Sequence, residues 1–186
     1  MPLTKTQVAM LEATGTPSSS TFLRGDGSWN APAASITAMT AQATTSGTFK
    51  DFTGIPAGVK RITVMLYDLS TSGSSAPQIQ IGSGSFTTSG YTSVGQNGIT
   101  IQSSTTGFIT TGSWANTSIK SGAIILTLLS TNVWVASGVS IDIPAANSSY
   151  CSGRVTIGGT LDRVRLTTIN GTDTFDLGSV NIFYEF

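Results

Sequence analysis

The sequence predicts an all-β chain, an antiparallel β-sandwich of jelly-roll-like type preceded by a short N-terminal stalk segment. Three observations carry that expectation. Threonine (30), serine (26) and glycine (21) dominate the 186 residues, and threonine favours strands while Gly and Ser favour turns. The apolar residues make up 39% and fall into runs that alternate with polar residues. Eight to ten such runs recur, separated by turn signals at a spacing of roughly 8–12 residues, the pattern of a sandwich and not of a solenoid or propeller.

The first 34 residues stand apart from the rest. Thr4–Ala13 reads as a short helix with Thr6 as its cap and Val8, Met10, Leu11 and Ala13 as a weak apolar face, ended by Gly15 and Pro17. Phe22, Leu23 and Trp29 then surround Arg24-Gly25-Asp26-Gly27. A segment this short cannot bury three large apolar groups by itself, so they are expected to pack on the main domain or on partner chains. Pro32-Ala33-Ala34 reads as a linker, giving a stalk or joint over residues 1–34 and a β-domain over 35–186.

Within that domain Thr44–Phe52 is the first expected strand, stopped by Gly54-Ile55-Pro56-Ala57-Gly58. Val59–Leu69 alternates with Ile62, Val64 and Leu66 on one face. Arg61, Thr63, Met65 and Tyr67 lie on the other, which is itself half apolar. Gln78–Ile81, Tyr91–Val94, Ile99–Gln102 and Gly107–Thr111 are short candidates. Ala123–Leu129 and Val133–Ser137 form the clearest hairpin, around Ser130-Thr131-Asn132. Tyr150–Ile157 is expected to pair with Leu161–Thr168 across Gly158-Gly159. Asn170-Gly171 marks a turn, and Val180–Phe186 is the final strand.

Composition limits the chemistry. Charged residues are only 10%, against roughly 25% in an average soluble chain, and nine basic residues balance nine acidic ones. No basic excess exists to neutralise phosphates, so nucleic acid is not an expected partner. There is no histidine and one cysteine, Cys151. That removes His-dependent nucleophile arrangements, the usual zinc sites and any disulfide within the chain. A free thiol and the absence of an apolar leader in MPLTKTQVAMLEATG suggest synthesis in a reducing cytoplasm. No run approaches the ~20 apolar residues of a membrane span, so no membrane insertion is expected. No cofactor or metal is expected either.

Two carboxylates can cleave a glycosidic bond, and Asp142, Asp162, Asp173 and Asp176 lie near turns. Aspartate at a turn is more simply explained by bonds to nearby backbone amides. Cys151, in an alternating apolar segment, reads as a small buried residue, and Trp134 as core. Trp114 differs: it sits among small polar residues in Thr111–Thr117, where a tryptophan either stacks on a sugar face or folds back under its loop. Tyr91 and Tyr150 sit in similar company. Gln96 and Asn97 can supply hydrogen bonds from a neighbouring loop, although a turn explains them equally.

The stretch SSSTFLRGDGSWNAP (residues 18–32) resembles a phrase recurrent in bacteriophage tail-fibre proteins just before a distal domain. LTKTQVAML looks like the stalk-end sequence that precedes it, departing from the commonest form after Val8. FTGIPAGVKRITVMLYDLSTSG (52–73), LLSTNVWVASG (128–138) and FDLGSVNIFYEF (175–186) resemble strands of a C-terminal tail-fibre domain. The resemblance implies a homotrimer at a fibre tip on a virion, joined to other tail proteins. Such a tip contacts a surface polysaccharide or outer-membrane receptor of a Gram-negative host such as Acinetobacter, without catalysis. Phe22, Leu23 and Trp29 are then expected at the trimer interface, and Tyr91, Trp114, Asn116 and Tyr150 at the receptor. Arg24-Gly25-Asp26 reads as a turn in the joint, with Arg24 and Asp26 paired within or between chains. The rival readings are a small glycan depolymerase using paired aspartates and a structural connector of fibre or capsid.

Overall fold

The computed structural model describes residues 14–31 and 36–186. The helix expected over Thr4–Ala13 and the linker Pro32–Ala34 lie outside the described residues. The chain divides into two compact units, Met1–Ser35 and Ile36–Phe186.

In the first unit β1 (Phe22–Leu23) pairs antiparallel with β2 (Trp29–Asn30). The reversal runs through Arg24–Gly27: the Gly27 N–H donates to the Arg24 carbonyl at 3.0 Å, and the Arg24 N–H to the Ser28 carbonyl at 2.8 Å. Gly27 takes φ +79°, a conformation that glycine reaches without a steric cost. Asp26 accepts from both the hydroxyl (2.7 Å) and the N–H (3.0 Å) of Ser28, and these bonds hold its carboxyl below the usual range. Within the chain Arg24 and Asp26 do not pair, because Asp26 turns toward Ser28. Phe22 and Leu23 are exposed, and Trp29 is half-buried.

The second unit is built of antiparallel strands, with no helix among the described residues. In chain order its first seven strands are β3 (Ile36–Ala38), β4 (Gln42–Ala43), β5 (Phe49–Thr53), β6 (Arg61–Thr71), β7 (Pro77–Ser83), β8 (Ser85–Phe86) and β9 (Thr92–Asn97). The other seven are β10 (Thr100–Ser104), β11 (Phe108–Ile109), β12 (Lys120–Ser130), β13 (Val133–Asp142), β14 (Asn147–Thr156), β15 (Arg163–Thr168) and β16 (Phe175–Glu185). The large sheet has the order β10-β9-β14-β13-β12-β6-β16-β3, with β4 also on β16. The small sheet runs β11-β7-β15-β5, with β8 on β7.

The two sheets share one core, as in a β-sandwich. Ile62, Val64, Leu66, Ile124, Leu126, Trp134, Val180 and Ile182 come from the large sheet, and Phe52, Ile79, Ile81, Val164 and Leu166 from the small one. Each aliphatic side chain so buried contributes about 1.5–3 kcal/mol. The period-two reading of β6 holds: Ile62, Val64 and Leu66 are buried, and Tyr67 on the other face is exposed. The hairpin of β12 and β13 is tighter than expected, with Ser130 opposite Val133 and only Thr131-Asn132 between them.

Two pairings differ from expectation, for one reason. Tyr150–Ile157 does not pair with Leu161–Thr168: β14 lies between β13 and β9 in the large sheet, and β15 between β5 and β7 in the small one. Val155 and Ile157 on one side of Gly158-Gly159, and Leu161 and Val164 on the other, are all buried. The segment therefore crosses the core edge instead of reversing in one sheet. Likewise Thr44–Phe52 is not one strand. β4 joins the large sheet and β5 the small one, and the buried Thr44 hydroxyl donates to the Leu177 carbonyl at 2.7 Å in the bend between them.

Candidate functional site

Strand alternation places a polar network inside one end of the sandwich. On β12 the inward positions before Ile124 and Leu126 are Gly122 and Lys120. On β13, Trp134, Ala136 and Ser140 lead inward to Asp142. Lys120 and Asp142 lie directly opposite each other across the β12–β13 pair. Both are buried, at 1% and 4% exposure, with Lys120 Nζ 3.3 Å from Asp142 Oδ2. The ammonium also donates to Ser149 Oγ at 2.7 Å and Thr111 Oγ1 at 2.8 Å, and it sits 5.8 Å from the centre of the Trp114 ring. Burial pulls the Lys120 pKa below its ordinary value, and Asp142 opposes that pull.

The loop 111–119 closes over this network. Gly95 and Gly112 permit it, since a Cβ on Gly112 would strike the Thr100 carbonyl and lie 2.7 Å from the Asn97 nitrogen, while one on Gly95 would strike the Thr111 carbonyl. Held that close to β9, the loop folds Trp114 inward. Its indole N–H donates to Thr71 Oγ1 at 2.7 Å and the residue is 8% exposed.

Between this loop and the 143–146 turn lies a pocket of about 320 Å³, lined by Asn97, Ser113, Trp114, Thr117, Ser118, Asp142 and Asn147 among others. Asn97, 9% exposed, donates its amide to Ser113 Oγ at 3.0 Å, and its Oδ1 is buried without a partner. The protein groups that reach Asp142, the Ser118 hydroxyl at 3.2 Å and Lys120, both meet Oδ2. The pocket wall is thus polar, and the unpaired Asn97 oxygen is sealed from solvent.

The four expected receptor residues do not form one cluster. Tyr91 is 2% exposed: its hydroxyl is held by the N–H and carbonyl of Ile81, at 2.9 and 3.3 Å, and its ring packs edge-on against Phe108. It is a core residue, because position 91, just before β9, is in phase with the buried Ser93, Gly95 and Asn97. Trp114 is not an exposed platform, and contributes only as pocket wall. Asn116 is exposed on the same loop, beside the lining residues Ala115 and Thr117. Tyr150, 54% exposed, stands on the outer face of the large sheet, in an open groove of about 580 Å³ with Val94, Ile125 and Val139. The alternating pattern could have revealed Lys120 and Asp142, since both fall in phase with buried neighbours. Asn97, read from the sequence as a hydrogen-bonding loop or turn residue, lies instead at the end of β9, where its neighbours across the fold make the pocket.

The aspartates weighed for catalysis have other partners. Asp162 binds Arg163 at 2.7 and 3.1 Å, Asp173 accepts from the Ser75 N–H and Asn170, and Asp176 is exposed on β16. Asp142 is not a turn residue bonded to backbone amides but the anion of a buried ion pair. Among the described residues no group of three or more His, Cys, Asp or Glu side chains is arranged to hold a metal ion. Set against protein-family models, curated proteins and solved structures, the chain matches none.

Proposed function

We propose that the chain is the tip region of a bacteriophage tail fibre, in which the sandwich binds a glycan on the host surface without cleaving it. The observation that carries this reading is the end pocket: a polar recess of about 320 Å³ with Trp114 and Asp142 in its wall, beside the buried Lys120–Asp142 network. The partners of Asp51, Asp142, Asp162 and Asp173 support binding over hydrolysis, because a general acid and base need free carboxylates on either side of a bond. The sequence likeness of residues 18–32 supports the fibre setting.

The same proposal includes a homotrimer attached to other tail proteins. Phe22, Leu23 and Trp29 are its first contacts, and the exposed outer face of the large sheet, with Val94, Ile101, Val139, Ile141 and Tyr150, offers a second apolar surface for neighbouring copies. Three weak sites per fibre then give avidity.

Light scattering after size exclusion, followed by retention on immobilised capsule and O-polysaccharide preparations, tests the proposal. The expected mass is three times 19.2 kDa, with retention and no new reducing ends. New reducing ends would favour the depolymerase, and a trimer that ignores every polysaccharide would favour the connector. A stable monomer would remove the trimer.

A further inference from the structure

We propose that the outer face of the small sheet carries a further glycan contact, a recess in which Arg165 and Gln80 bind two adjacent hydroxyls of a sugar ring. The proposal rests on the glycan-binding reading and adds a site away from the end pocket. Strand alternation turns Ile79, Ile81, Val164 and Leu166 into the core. Gln78, Gln80, Arg165 and Thr167 therefore take the outer face, with Phe49 and Asp51 beside them on β5. Register sets the spacing: Arg165 stands directly opposite Gln80 on one side and Asp51 on the other. Residues so paired have Cβ atoms about 4.5–5.5 Å apart. A recess of about 300 Å³ lies here, lined by Phe49, Gln80, Thr88, Arg165 and Thr167 among others.

The two glutamines of β7 are used differently. Gln78 serves the fold: its Oε1 accepts from the Ser104 and Thr106 hydroxyls, both at 3.0 Å, and its Nε2 donates to the Thr168 carbonyl at 3.5 Å. Gln80 is 7% exposed, and its Nε2 donates to the Thr106 carbonyl at 2.9 Å, which fixes the amide's orientation. Its Oε1 has no partner among the described residues. The unpaired side-chain atoms sealed from solvent there are Asn97 Oδ1 and Ser140 Oγ, so Gln80 Oε1 stays accessible. Arg165 is half engaged in the same way. Its Nε and Nη2 hold Asp51, both at 2.7 Å, and Phe49 and Phe86 flank the guanidinium carbon at 4.3 and 4.2 Å. Nη1 is left with two accessible N–H groups. A fixed acceptor beside fixed donors calls for a ligand that accepts and donates side by side. Vicinal hydroxyls do so: one accepts from Nη1, and the next donates to Oε1. A simple anion fits less well, because Asp51 already balances Arg165 and Gln80 Oε1 can only accept. Phe49, 49% exposed, offers a ring surface to the C–H face of the sugar.

NMR of the isotope-labelled full chain provides the test, with separate titrations of the methyl glycosides of glucose, galactose and mannose, of cyclohexanol and of inorganic phosphate. The expected result is a saturable shift of the Arg165 Nε–H and the Gln80 side-chain amide with at least one glycoside. Cyclohexanol, with a single hydroxyl, should bind at least tenfold more weakly. Gln80→Met should weaken the glycoside by at least tenfold. Phe49→Ala, at a half-exposed position, should weaken it by about tenfold and keeps the test alive if the first variant misfolds. Equal binding of cyclohexanol, or unchanged binding by Phe49→Ala, would overturn the proposal. Shifts with phosphate alone would make this an anion site and also overturn it. If glycosides move the Trp114 indole N–H and neither resonance here, this recess is no sugar site while the glycan-binding reading stands. If no glycoside moves any of the three, the proposal falls, and retention of whole polysaccharides judges the binding reading independently.

Discussion

Replacing Lys120 by methionine removes a cation that three groups enclose. At 3.3 Å and an effective dielectric constant near 20, its attraction to Asp142 is about 5 kcal/mol. Dehydrating the two ions costs several kcal/mol each, so the intact pair adds little net stability. Truncation is another matter. Without the ammonium, Asp142 keeps only the Ser118 hydroxyl, and Thr111 and Ser149 lose a charged donor. Lys120→Met is expected to cost about 3–5 kcal/mol, a large part of the roughly 5–15 kcal/mol that holds a domain together. Adding Asp142→Asn should return part of the loss, with a coupling of about 1–3 kcal/mol. Urea denaturation of the four proteins at neutral pH measures every corner of the cycle. A loss below about 1 kcal/mol for Lys120→Met, or strict additivity in the double variant, would refute the view that this pair is mutually dependent.

Further outcomes follow from other parts of the fold. Burial pushes the Cys151 thiol from 9.0 up to about 11, so in alkali the unfolded chain loses its proton first. Wild-type stability should fall relative to Cys151→Ala between about pH 9 and 11, by at most about 1.4 kcal/mol per pH unit, read from denaturation curves across that window. Thr131 holds φ +34° at the β12–β13 turn, a strained choice for a β-branched residue, so Thr131→Gly should raise the melting temperature, with a gain of about 0.5–1 kcal/mol. Arg165 grips Asp51 through two bonds of 2.7 Å and lies 4.3 and 4.2 Å from the ring centres of Phe49 and Phe86. Arg165→Lys keeps the charge but not the planar fork, and calorimetry should register a loss of about 1–2 kcal/mol. Gly178→Ala at φ +90° would drive its Cβ against the Tyr67 and Asp68 carbonyls and should sharply reduce the yield of folded protein.

Strands were legible wherever one side chain in two meets the core. β6, β12 and β13 could be read from Ile62, Val64 and Leu66, from Ile124 and Leu126, and from Trp134 and Ala136, because burial on one face imposes period two. Sheet membership was not legible. Gly158-Gly159 looks the same whether the chain reverses beside itself or passes to the opposite layer, since both need a tight bend between buried runs. The candidate site followed the same division. Trp114 stood out as an unusual residue, but its direction depends on Gly95 and Gly112 letting two backbones touch. Tyr91 was read as a receptor residue because its hydroxyl partner, Ile81, lies on the other sheet, where no local pattern points to it. Asn97 finds its hydrogen-bond partner in Ser113, sixteen positions away, which no local pattern encodes.

The position of β16 sets an order of events during synthesis. It is the seam that joins β6 to β3 and β4, so the large sheet stays in separate pieces until Phe175–Glu185 has emerged. Until then β6 has a bare edge with its N–H and carbonyl groups unpaired, flanked by Met65 and Tyr67. Pairing residues 61–71 with 175–185 is a long-range closure, and such closures are slow. While the ribosome has yet to make this strand, the nascent chain therefore shows an open, sticky margin, liable to pair with a neighbour's equivalent strand. Where copies of one chain are made side by side, as in an oligomer, the timing of a single strand separates orderly assembly from entanglement.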